Sequence, residues 1–135
     1  MALDKNRIAV GDEYEEVSVD DLSRTQIVMY AGASGDFQPL HSDETYARAS
    51  GFKGTFAHGM LTMGLAGKAL TNFAGPGALE TYKARFQAQV WPGDTLTTKL
   101  TITEIHPSSA TLALETTNQD GALVLTGTAS AKLTT

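Results

Sequence analysis

Asp36 and His41 stand five residues apart in the stretch Ala33-Ser-Gly-Asp-Phe-Gln-Pro-Leu-His-Ser-Asp-Glu44, with Pro39 between them. A carboxylate accepts hydrogen bonds, and an imidazole gives or takes a proton near neutral pH. Together they can hold one water and divide its handling, one group acting as base and the other as acid. The matching chemistry is addition or removal of water across a double bond. Pro39 fixes its own φ and biases Gln38 toward an extended conformation, which stiffens the chain between the two groups. Spacing alone leaves a plainer reading open, in which Asp36 caps a turn and His41 is a hydrogen-bonded loop residue. A metal held by Asp36, His41 and His58 is a poor match, because three candidate ligands occur without zinc-type spacing. No metal is therefore expected.

A second stretch, Ala57-His58-Gly59-Met60, opens an apolar helical segment. Backbone N–H groups at a helix N-terminus are unpaired and carry partial positive charge. Gly59, lacking a side chain, lets a ligand carbonyl approach them, and such a donor stabilises an enolate-like oxygen as charge develops on it. Helix packing through Gly59 and an N-cap role for His58 fit the same residues.

The elements that must position these groups change character along the chain. Asp12 to Val19 suits an early strand. Ser23 can cap a helix over Ser23–Ala31, with Gly32 and Gly35 as its stop, and Asp43–Ala49 suits a short second helix. His58–Phe73 is apolar or small on nearly every face, with Lys68 its one fixed charge, so protein is expected all round it. Its glycines (Gly59, Gly64, Gly67) cost about 1 kcal/mol each against alanine. They make sense where something packs close to the backbone. After Gly77 the period becomes two: Tyr82, Ala84, Phe86, Ala88 and Val90 alternate with polar residues. Turns at Pro92-Gly93-Asp94, Pro107–Ser109 and Asp120-Gly121 separate further strands bearing Leu96, Leu100 and Ile102, then Leu112 and Leu114, then Leu123 to Leu133. These signals add up to an α+β fold, an antiparallel sheet curled around one buried helix. A chain of 135 residues, read as a single domain 1–135, wraps only part of that helix, so a second subunit is expected to cover the rest.

A net charge of −5 without any basic run excludes nucleic acid as a main partner. The absence of cysteine removes disulfide and thiolate chemistry and fits a cytoplasmic setting. No apolar run approaches the roughly 20 residues of a membrane helix, and the N-terminus lacks the apolar core of a signal peptide.

With both chemical stretches in view, the chain resembles the MaoC-type (R)-specific enoyl-thioester hydratases and dehydratases, a family with the hotdog fold. Tyr30-Ala-Gly-Ala-Ser-Gly-Asp-Phe-Gln-Pro-Leu-His41 resembles the family's hydratase motif, centred on G-D-x-N-P-[LIV]-H. Phe56-Ala-His-Gly-Met-Leu-Thr62, Tyr82-Lys-Ala-Arg-Phe86, Val90-Trp-Pro-Gly-Asp-Thr95 and Gly127-Thr-Ala-Ser-Ala131 extend the resemblance over nearly the whole chain. The resemblance implies Asp36 and His41 as the catalytic pair and Gly59, Gln38 and His58 as substrate-binding residues, with the Gly59 amide polarising a thioester carbonyl. It implies no cofactor, coenzyme A or acyl carrier protein as the carrier of the acyl substrate, and a homodimer. Gln38 stands where the family has asparagine. It offers the same donor and acceptor on one more methylene, which bears on efficiency and substrate choice. A thioester-binding or structural subunit of a heterodimeric hotdog dehydratase is the alternative. A hotdog thioesterase fits less well, since residues His58 to Phe73 contain no acid.

Overall fold

A computed structural model describes residues 2–134. Five strands, β1 (Glu13–Val19), β2 (Leu79–Phe86), β3 (Leu96–Ile105), β4 (Ser109–Thr117) and β5 (Leu123–Lys132), pair in the order β1-β3-β4-β5-β2. Every pairing is antiparallel. Three helices, α1 (Arg24–Ser34), α2 (Glu44–Ala49) and α3 (Gly59–Ala74), lie between β1 and β2, with a 3₁₀ turn at Pro39–His41. α3 packs on β1, β2, β3 and β5. This is the hotdog arrangement, a sheet laid against one long helix.

The core follows from the two periodicities. Leu96, Thr98, Leu100 and Ile102 alternate inward along β3, and Leu112 and Leu114 do so along β4. Thr62, Ala66, Ala69, Leu70 and Phe73 make the buried stripe of α3. The inward hydroxyl of Thr98 is not left unpaired. It lies 2.7 Å from Ser18 Oγ and 2.9 Å from Thr116 Oγ1, a row of buried hydroxyls across three strands.

Two of the helix glycines seat aromatic rings of β2. A Cβ on Gly59 would meet the Phe86 ring at 3.2 Å, and one on Gly67 would meet Tyr82 at 3.2 Å. The Tyr82 hydroxyl donates to the Met63 carbonyl at 2.7 Å, and burial pushes the phenol up to about 12. Close packing is thus the reason for Gly59 and Gly67. Gly64 has nothing near it.

Two expectations need correction. α1 runs through Gly32 to Ser34, because Gly32 points to open space and the stop is Gly35, left-handed at φ 77°, whose N–H donates to Ala31 at 2.9 Å. The alternation seen as far as Val90 is a strand only to Phe86. Beyond it the N–H groups of Gln87 and Ala88 both turn to the Val124 carbonyl, and Val90 gives its carbonyl to Ala57 N–H at 2.7 Å. As expected for a chain of this length, α3 is covered on one side only within the chain: Met60, Gly64, Lys68 and Asn72, spaced by four, form an exposed stripe.

Candidate active site

Four local structures converge on Asp36 and His41. The left-handed Gly35 turns the chain out of α1. Asp36 follows, and its carboxylate accepts the Gln38 N–H at 3.3 Å. Gln38 caps the 3₁₀ turn with its own carbonyl, which accepts the His41 N–H at 3.0 Å, and Pro39 occupies the first position of that turn. The chain from Thr55 to His58 then returns beneath the loop into α3. Phe56 donates its N–H to the Leu40 carbonyl at 3.3 Å.

The ring nitrogens have assigned duties. His41 Nδ1 lies 2.7 Å from the Phe56 carbonyl oxygen. A carbonyl only accepts, so Nδ1 carries the proton and Nε2 presents its lone pair. His58 is 1% exposed, and its Nε2 donates to the Asp36 carbonyl at 3.0 Å. The His41 and His58 rings stack, with centroids 3.9 Å apart and planes 25° off parallel, and Tyr30 meets the other side of His58 edge-on at 4.9 Å. His58 therefore ties the Asp36 backbone to the start of α3 and supports the His41 ring. That is a brace.

Asp36, His41 and His58 each place one potential ligand atom within 4.8 Å of the others. Two of the four ring nitrogens are already spent on backbone carbonyls.

Gly59 is the first residue of α3, where an N–H has no intrahelical acceptor. It lines a cavity of about 290 Å³ with Phe56, Ala57, Thr62 and the segment Phe86 to Val90. The half-exposed Phe86 ring stands over the Gly59 backbone. Asp36 and His41 are not on the cavity wall. Phe56 connects the two places: it lines the cavity, and its ring packs edge-on against His41 at 5.1 Å. Asp36, Phe37 and Gln38 are exposed. Sequence reasoning missed Phe56 and Phe86. The Phe56 duty is carried by a main-chain oxygen, which leaves no trace in residue type. Phe86 was visible only as one more inward position of a strand.

The MaoC-like domain family model matches residues 5–122 of this fold. The chain belongs to the MaoC-like family. Among relatives of this MaoC-like chain, an (R)-specific enoyl-CoA hydratase of Rhodospirillum rubrum is 37% identical over 112 residues, covering 81% of this chain and 78% of the relative. The unliganded R-hydratase of Pseudomonas aeruginosa superposes with a TM-score of 0.89 at 30% identity, covering 98% of this chain and 86% of that one. A chain of the ChsH1-ChsH2 complex from Mycobacterium tuberculosis superposes with a TM-score of 0.79 at 26% identity, covering 93% of this chain and 98% of that one.

Proposed function

We propose that this MaoC-like chain, a single domain over residues 1–135, is a hydro-lyase: an (R)-specific hydratase of trans-2-enoyl thioesters that equally dehydrates (3R)-hydroxyacyl thioesters. The observation that carries the reading is the fixed tautomer of His41. A His41 ring nitrogen and an Asp36 carboxylate oxygen lie within 4.8 Å of each other, and His58, packed on the His41 ring, leads directly into Gly59 at the start of α3, which lines a cavity. A water held by Asp36 and His41 adds its oxygen to C3 while its proton passes through the pair to C2. The C=C electrons move toward the thioester carbonyl, and the Gly59 N–H steadies the enolate oxygen that forms. A donor of this kind is worth about 10²- to 10³-fold in rate. Nothing is oxidised or reduced, so the step balances without a cofactor. Gln38, exposed next to the loop carboxylate, is the candidate contact for the substrate. The relatives named as hydratases support this reading.

The carrier is coenzyme A or acyl carrier protein, in a cytoplasmic setting. The assembly is a homodimer: the outer edge of β2 has no strand beside it among the described residues, and Met60, Gly64 and Lys68 of α3 are exposed along one face. A second reading, a subunit of a heteromeric hotdog enzyme, is favoured by the likeness to a chain of a two-protein complex. Loss of enoyl-thioester absorbance with crotonyl and octenoyl substrates on both carriers tests the first. Turnover by the purified chain supports it. No turnover on any length or carrier overturns it, and restoration of activity by a copurifying hotdog partner establishes the second.

A further inference from the structure

The carbonyl that sets the His41 tautomer belongs to a segment that is itself clamped. Thr55, directly before Phe56, is buried. Its backbone N–H donates to Glu44 Oε1 at 3.3 Å and its hydroxyl donates to the same oxygen at 2.9 Å. Arg24 Nη1 donates to that oxygen as well, and to Thr55 Oγ1 at 3.1 Å. Arg48 reaches the other carboxylate oxygen at 3.6 Å from one turn further along α2. One acid at the start of α2 thereby joins α1, α2 and the strand-like return to α3. Arg24 and Thr55 together hold the Glu44 carboxyl down at about 2, so it is ionised at neutral pH.

The carboxylate sits close to the Thr55 main chain because residue 54 is glycine. A Cβ there would lie 2.9 Å from Glu44 Oε2. Glu44 is also three residues beyond His41, so the imidazole at the end of the 3₁₀ turn and the acid at the start of α2 grip adjacent residues of the return segment, Phe56 and Thr55. Any shift of residues 54–56 moves the Phe56 carbonyl relative to His41 Nδ1, and the 2.7 Å bond between them is, among the described residues, the contact that selects the tautomer.

We infer that Glu44 is a positioning residue for catalysis: through Thr55 it holds the Phe56 carbonyl where it keeps the proton on His41 Nδ1 and the Nε2 lone pair turned outward. The kinetic side of this inference rests on the hydratase reading; the structural side does not. Groups that orient a working histidine through an intermediary typically cost about 10- to 100-fold when removed.

The test combines steady-state kinetics with ¹⁵N NMR of histidine-labelled protein, the His41 signals being assigned with His41→Ala. In the wild type Nδ1 reads as protonated and Nε2 as bare. Glu44→Ala is expected to mix the two tautomers and to lower kcat about tenfold or more with KM little changed. Glu44→Gln, which keeps an acceptor oxygen for Thr55, is expected to recover most of both. Gly54→Ala, which leaves every polar group present and crowds the carboxylate end, is expected to shift both readouts in the same direction as Glu44→Ala but by less. Should Glu44→Ala fail to fold, Gly54→Ala and Thr55→Val carry the decision. An unchanged His41 tautomer and kcat in these variants, with only the melting temperature lowered, overturns the inference. A wild type without turnover would sink the hydratase reading alone, because the NMR readout needs no substrate.

Discussion

The sheet with its helix and the 20–58 overhang are built on different physics. Leu96, Leu100, Ile102, Leu112 and Leu125 are fully buried, and they hold α3 through area removed from water. In the overhang α1 buries only Ile27 and Ala31, and α2 only Ala47. What holds it is directional: the Ser23–Gln26 capping box, the Asp43 cap on Tyr46 N–H, the Glu44 clamp and the His58 bond to Asp36. Apolar contact tolerates small slips, and hydrogen bonds do not. The half that gains little from burial is therefore the half held by directional bonds, the kind of support that a site needing close placement of its groups requires.

Substitutions should separate these halves. The largest effect belongs to Asp36→Asn and His41→Ala, each expected to lower kcat by about 10²- to 10⁴-fold while leaving the thermal midpoint nearly unchanged, since both groups sit in the loop. Kinetics beside a melting curve checks this, and a collapse of the fold in either variant would make the overhang structural after all. Leu112→Ala should do the reverse, costing about 2–5 kcal/mol in denaturant unfolding with normal activity per folded molecule. Gly127→Ala is expected to cost about 1–3 kcal/mol by overpacking. A Cβ there would overlap the Lys83 carbonyl and press on Leu114, prising β5 from β2. Hydrogen exchange along β2 would report it.

The smallest effect is electrostatic. The Glu44 carboxyl falls from 4.5 to about 2 on folding, so its ionised form favours the folded state. That contribution is complete above pH 4.5 and is lost as pH falls through about 2. The side chains are substantially exposed, so salt should weaken it. Melting temperatures from pH 6 to 2 at low and high salt should show a dependence that Glu44→Gln lacks.

The sheet was legible in the sequence because each strand writes its own period-two pattern and each turn its own Gly, Pro or Asp. Where pattern and partner disagreed, the sequence misled. Gln87 to Val90 alternate like a strand, yet their backbone groups turn to Val124 and Ala57 instead of continuing the ladder. Gly32 looked like a stop because glycine is a poor helix former, but a stop needs a left-handed residue, and Gly35 supplies it. In the site, Asp36, His41 and Gly59 were visible as residue types. The duties of Phe56 and Glu44 were not, because one acts through a main-chain oxygen and the other through a neighbour eleven residues away.

The two rings of β2 seated on α3 carry a wider implication. Gly59 and Gly67 lie about two turns apart, roughly 12 Å along the axis, and Phe86 and Tyr82 lie roughly 13 Å apart along their strand. Helix and sheet are thereby pinned at two matching points, which sets how far the first turn of the helix projects toward a bound acyl group. Crowding the distal pin at Gly67 would tilt the rod about the proximal one, so a residue about two turns away governs the aim of the Gly59 amide.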